Sequence, residues 1–101
     1  MNKIEKETRI GKINCITFKE KTDNVANYIN IVNDKGCWSY VGKFVEKKSQ
    51  LLSLSIDDGC IVEHIVIHEL LHTLMLHHEH NRPDRDDWIR ILKYNIKEGL
   101  Y

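Results

Sequence analysis

The sequence predicts a small α+β domain, with a small twisted sheet and one central helix. Short segments with strand-like alternation fill the first half of its 101 residues. A longer apolar segment, residues 61–76, follows them. Strands that precede a helix, instead of alternating with helices, are typical of α+β proteins. The length allows a single domain with a modest core.

The elements of the first half are assigned from short patterns. Residues 4–10 (IEKETRI) indicate the end of a helix. Residues 14–20 (NCITFKE) alternate apolar with polar side chains, which predicts a strand. Tyr28 to Val32 are mostly apolar, and residues 33–36 carry a turn signal.

The clearest patterns follow residue 36. Residues 37–45 are aromatic and β-branched, and residues 49–56 alternate leucine or isoleucine with serine, so both predict strands. Residues 57–60 (DDGC) form a turn signal. Apolar residues lie nearly all round a helix over residues 61–76, which predicts a buried helix. Residues 86–101 are ambiguous between a strand and a short helix.

Composition excludes several classes of protein. Lys+Arg and Asp+Glu are both 15, so no excess of positive charge predicts a nucleic-acid partner. No segment has the length of a membrane span, and residues 1–15 lack the apolar stretch of a signal peptide. The cysteines number three, which allows either one disulfide and a free thiol or no disulfide.

The predicted helix carries a possible metal site. His68 and His72 are four residues apart, so a helix places both imidazoles on one face, where they can bind one zinc ion. Glu69 lies beside them, and its carboxylate can take a proton from a zinc-bound water. This H-E-x-x-H spacing also arises by chance on ordinary helices. However, an apolar helix should not bury such polar groups unless something satisfies them.

A catalytic zinc site usually needs a third protein ligand. A continuing helix cannot supply it, because His77, His78 and His80 would project away from the face of His72. The chain must therefore leave the helix after about Leu74. All three histidines are candidates, and His78 has the spacing of the longer pattern H-E-x-x-H-x-x-G-x-x-H.

Residues 68–86, HELLHTLMLHHEHNRPDRD, closely resemble the signature of the astacins, which are zinc endopeptidases of the metzincin class. The resemblance continues in GCWSYVG at residues 36–42 and in DDGC at residues 57–60. QLLSLS, at residues 50–55, resembles the strand at the edge of the family's cleft. Nearly the whole chain is covered, so the implied fold is the upper subdomain of a metzincin.

The resemblance implies a zinc-dependent endopeptidase that hydrolyses peptide bonds in a protein or peptide substrate. One zinc ion per chain would be bound by His68, His72 and His78. Glu69 would be the catalytic base that activates the zinc-bound water. Leu51 to Ser55 would pair with an extended substrate as an added strand.

Other polar residues receive secondary roles. By resemblance, Glu79 would help to hold the mature N-terminus. Residues 82–86 would form a structural network at a tight turn, although a solvated loop is the alternative. His64 matches no family ligand and is expected to be an ordinary helix-face histidine.

The chain also departs from the family pattern. Met75 stands where the family has glycine, so we expect a positive φ there at a cost of about 1 kcal/mol. The methionine-containing turn that metzincins carry after the third histidine has no counterpart before Tyr101. Residues 1–101 are therefore expected to be an astacin-like peptidase domain truncated at both ends. The alternative function is that of a zinc-binding fragment or pseudoenzyme without catalysis.

The resemblance also suggests an arrangement for the cysteines. Cys37 and Cys60 would form a disulfide worth about 3 kcal/mol, and the partner of Cys15 would lie in the missing half. Three reduced, buried cysteines are the alternative. The implied disulfide and the family both predict a secreted or extracellular protein.

Overall fold

The computed structural model, which describes residues 1–43 and 49–99, contains a mixed sheet with α-helices beside it. The α+β class predicted from the sequence is confirmed. In chain order the elements are helix α1 (Asn2–Glu7), strands β1 (Tyr28–Val32), β2 (Cys37–Ser39) and β3 (Ser49–Leu54), and helix α2 (Glu63–Thr73). Short 3₁₀ turns follow at Glu79–Asn81, Arg85–Asp87 and Lys93–Asn95.

Strand β3 is the central strand of the sheet. It runs parallel to β1 and antiparallel to β2, so that Leu52 and Ser53 are paired on both sides. The expectation that residues 51–55 form the substrate-binding edge is therefore wrong. Leucine–serine alternation suggested one polar face, but Ser53 is fully buried, and its hydroxyl lies 2.9 Å from the carbonyl oxygen of Asp34.

The strand predicted over residues 14–20 is absent, which makes that prediction wrong. A strand needs a backbone partner, whereas here the amide of Phe18 donates to Oε1 of Glu5 in α1 at 2.6 Å. The side chains of Ile16 and Phe18 still pack against the core. The alternation therefore indicated that one side of the segment is buried. It did not indicate that the segment belongs to a sheet.

Strand β2 is shorter than the predicted strand over residues 37–45, of which 44 and 45 lie outside the described residues. It ends at Ser39, and the amide of Gly42 then donates to the carbonyl of His72 at 2.8 Å. The loop after β2 is thereby fastened to helix α2.

Helix α2 lies against the sheet through Leu70, which joins Ile4, Leu52, Leu54 and Cys60 in the core. The predicted buried helix is only half-buried. Ile65, Val66 and Ile67 are partly buried and pack against the core, whereas His64 and His68 are exposed. In the described part of the chain, no helix has the length and apolar character needed to cross a membrane.

A disulfide joins Cys37 in β2 to Cys60 just before α2, with the Cα atoms 5.6 Å apart. The predicted pairing is confirmed, and Cys15 is free and exposed. Cys60 is fully buried. The bridge therefore ties the strand beside the helix to the start of the segment that carries the histidines.

Residues 86–99 form neither of the two predicted elements. They contain short 3₁₀ turns and no strand, and large side chains such as Trp88 and Tyr94 are exposed. The sequence was ambiguous here because the apolar residues follow neither a helical nor a strand period strictly.

Candidate metal centre

Helix α2 presents two of the predicted ligands together. The ring centroids of His68 and His72 are 4.6 Å apart, as expected for residues four apart on one helix face. His72 is only 8% exposed, whereas His68 reaches the surface. The pair therefore has one ring fixed by the core and one open to the surface.

The helix ends in a Schellman motif at Met75. The amide of Met75 donates to the carbonyl of His72 at 2.9 Å, and the amide of Leu76 donates to the carbonyl of Leu71 at 3.1 Å. Met75 has φ of 75°, in the left-handed region that this motif requires. The predicted positive φ is confirmed, and it is the only one at a non-glycine residue in the described chain.

This turn brings the third histidine back to the helix. Nε2 of His78 lies 3.1 Å from Nε2 of His68 and 3.1 Å from Nε2 of His72. Two nitrogens at about 2.0–2.1 Å from a shared tetrahedral zinc ion would be roughly 3.3 Å apart. The donor atoms of the three rings lie within 4.8 Å of one another, which fits one ion.

The orientation of the His72 ring is fixed by a hydrogen bond at Nδ1. Its Nδ1 donates to the carbonyl of Leu76 at 2.7 Å, since a carbonyl can only accept. The proton therefore sits on Nδ1, and the lone pair of Nε2 faces the other histidines. Metal-binding histidines typically make this bond to a backbone carbonyl.

Glu69 is buried beside the cluster, with 5% of the residue exposed. Its Oε2 has no hydrogen-bond partner among the described residues. A buried carboxylate without a partner is costly, so such groups are typical of functional sites. The chemistry of the donor set therefore fits a zinc ion with a buried carboxylate beside it.

The electrostatics favour a neutral third histidine. Desolvation of its ring, followed by the charges of His72 and His68, lowers the pKa of His78. A lowered pKa favours neutral imidazole, which is the form that binds metal.

Residues 82–86, the charged tail, form a network at the surface. Arg82 makes two hydrogen bonds to Asp84, at 2.9 and 2.8 Å, and a third to Glu79 at 3.1 Å. The guanidinium of Arg82 lowers the pKa of Asp84. Glu79 is thus paired with Arg82 in this structure, and the implied contact with the N-terminus is not seen among the described residues.

The remaining histidines lie outside the triad of His68, His72 and His78. His77 and His80, the rivals for the third ligand, border a groove of about 290 Å³ that the triad also lines. Neither belongs to the cluster of converging donors, and His64 is exposed on α2. His80 stacks on the ring of His78, a contact that its sequence position did not reveal.

Comparison with known proteins agrees with this geometry. The family model described as Astacin, a peptidase family, matches residues 2–101. The chain belongs to the astacin family.

Three relatives illustrate the extent of the astacin similarity. Zinc metalloproteinase nas-13 of Caenorhabditis elegans is 42% identical over 89 residues, which cover 88% of this chain and 19% of the relative. Blastula protease 10 of Paracentrotus lividus is 37% identical over 91 residues, 84% of this chain and 15% of the relative. Bone morphogenetic protein 1 of Xenopus laevis is 40% identical over 88 residues, 87% of this chain and 12% of the relative.

The chain therefore spans less than a fifth of the length of each of these three relatives. The name of the first relative and the converging histidines agree on zinc as the cofactor of this astacin site.

Proposed function

We propose that residues 1–101 form the zinc-binding part of an astacin peptidase domain, and that the protein is a zinc-dependent endopeptidase. His68, His72 and His78 would hold one zinc ion. The observation that carries the proposal is the convergence of their Nε2 atoms, with His78 at 3.1 Å from both partners.

Zinc bound there would acidify a water molecule and polarise the scissile carbonyl. Glu69 follows the first ligand on α2, and its buried carboxylate has an oxygen without a partner among the described residues. It would accept the proton of the attacking water and then deliver it to the leaving amine nitrogen. The hydrogen bond from His72 to Leu76 would hold the second ligand in position meanwhile.

The substrate would bind as an added strand along β2, because β3 is the central strand and its middle residues are paired on both sides. The loop after β2 is tied to the site, since the amide of Gly42 donates to the carbonyl of His72 at 2.8 Å. Backbone pairing to the edge of β2 would therefore hold a peptide at a fixed distance from the second ligand, His72. The partner is accordingly a protein or peptide in extended conformation.

We also propose that the protein is secreted or extracellular. The Cys37–Cys60 disulfide supports this location, because disulfides persist mainly in oxidising compartments.

The test separates metal binding from catalysis. Zinc content is measured on the 101-residue chain and on its Glu69→Gln, His72→Ala and His64→Ala variants. We expect one zinc per chain in the unaltered protein, in Glu69→Gln and in His64→Ala, and strong loss in His72→Ala. His64 is the matched control, since it lies on the same helix but outside the triad.

Peptidase activity is measured on a protein in which this chain is joined to the remaining peptidase segment of nas-13. The joined protein should cleave an unfolded protein substrate, and Glu69→Gln should abolish most of that cleavage while keeping zinc. A folded, zinc-loaded protein that cleaves nothing would favour the non-catalytic zinc-binding module instead.

A further inference from the structure

The third histidine of the triad is the least supported by regular structure. His68 and His72 belong to α2, whereas His78 precedes the 3₁₀ turn Glu79–Asn81. Its carbonyl accepts a hydrogen bond from Asn81 at 3.0 Å, which fixes its backbone. That bond leaves the rotation of the imidazole ring about its side-chain bonds unrestrained.

A second imidazole stacks on this ring. The centroids of His78 and His80 are 5.5 Å apart, and the ring planes are inclined by only 16°. The contacts of His78 with His68 and His72 are different, because those rings meet it through the Nε2 atoms that converge on the cluster. Stacking on a ring face resists rotation of that ring without using its nitrogens.

His80 is itself held in place by the charged tail. Nη1 of Arg85 donates to the carbonyl oxygen of His80 at 3.0 Å. The backbone amide of Arg82 meanwhile donates to the carbonyl oxygen of the preceding residue, Glu79, at 3.1 Å. The backbone from which the His80 ring projects is therefore restrained on both sides.

We infer that His80 is a positioning residue, whose ring orients His78 for metal binding without ligating the metal. The inference rests on the proposed function, since it assumes that His78 is a zinc ligand. It also gives Arg85 a role, because its hydrogen bond supports the stacking ring. A pre-oriented ligand loses less freedom when the ion binds, so the stack should raise zinc affinity.

Competition between the full chain and a chromogenic zinc chelator tests the inference. Aromatic contacts of this kind predict that His80→Ala weakens zinc affinity by about twofold to tenfold. His80→Phe keeps a flat ring but has no nitrogen, so it should restore most of the affinity. His77→Ala is the control, because His77 borders the same groove and makes no ring contact in the described structure. It should bind zinc like the unaltered chain.

The outcomes distinguish the possible errors. If His80→Phe binds zinc as weakly as His80→Ala, the nitrogens of His80 matter and stacking is not its role. If His80→Ala binds normally while His78→Ala loses zinc, the positioning role is refuted and the proposed function survives. If His78→Ala keeps full zinc affinity, the proposed ligand set itself is wrong. His80 is exposed, so its truncation should leave the fold intact, which mapping of the Cys37–Cys60 disulfide in each variant verifies.

Discussion

Replacement of Met75 tests how the turn between the second and third ligands is made. The residue adopts φ of 75°, which costs a non-glycine residue about 1 kcal/mol relative to glycine. Its side chain also lies close to Gly42, because a Cβ built there would be 3.1 Å from Cε and 3.3 Å from Cγ of Met75. When glycine replaces Met75, relief of the backbone strain stabilises the protein, whereas loss of the contact destabilises it.

The structure allows both effects to be estimated. Met75 is 69% exposed, so about a third of it is removed from water. Full burial of a methionine is worth about 1.5–3 kcal/mol, which gives roughly 0.5–1 kcal/mol for this contact. Met75→Ala loses the contact and keeps the strain, whereas Met75→Gly loses both. Alanine should therefore be the least stable of the three, about 1 kcal/mol below glycine, with methionine and glycine within about 1 kcal/mol of each other.

Urea denaturation of the zinc-loaded protein measures the free energy of unfolding, and chelator competition measures zinc affinity. Both quantities should follow the same order, because the strained turn carries His78 to the cluster. An alanine variant as stable as the glycine variant would refute a left-handed conformation at residue 75.

Three further predictions follow from the structure. Gly42→Ala should destabilise the fold by about 1 kcal/mol, because Gly42 has φ of 71°. Adding Met75→Gly should recover only the part of the loss that comes from the clash between the new Cβ and Met75. An equal loss from Gly42→Ala with Met75 and with Gly at position 75 would contradict that clash. Replacing Cys37 and Cys60 together by serine should lower the free energy of unfolding by about 2–4 kcal/mol in urea denaturation, whereas Cys15→Ser, at an exposed free thiol, should change it little. Removal of zinc by a chelator should lower the melting temperature, and this shift should be absent in His72→Ala, since only an ion bound to the folded state stabilises it.

The sequence by itself determined the features that depend on helical geometry or on the family pattern. The H-E-x-x-H spacing places His68 and His72 on one helix face through helical geometry alone. The family pattern has glycine at the position of Met75, which predicted a left-handed residue, and the structure has φ of 75° there. The Cys37–Cys60 pairing was predicted correctly because the sequence around both cysteines follows the family pattern.

Tertiary structure decided everything that depends on which distant segments meet. The alternation at residues 14–20 and at residues 49–56 is similar, yet only the second segment joins the sheet, since the backbone of Phe18 bonds to Glu5 instead. Serine–leucine alternation could not reveal that β3 is central, because that depends on β1 and β2 occupying its two sides. The stack of His80 on His78 is local, but it depends on side-chain orientations that the sequence pattern does not specify. Side-chain periodicity records how much of a segment is buried, whereas pairing and stacking depend on partners that the periodicity does not specify.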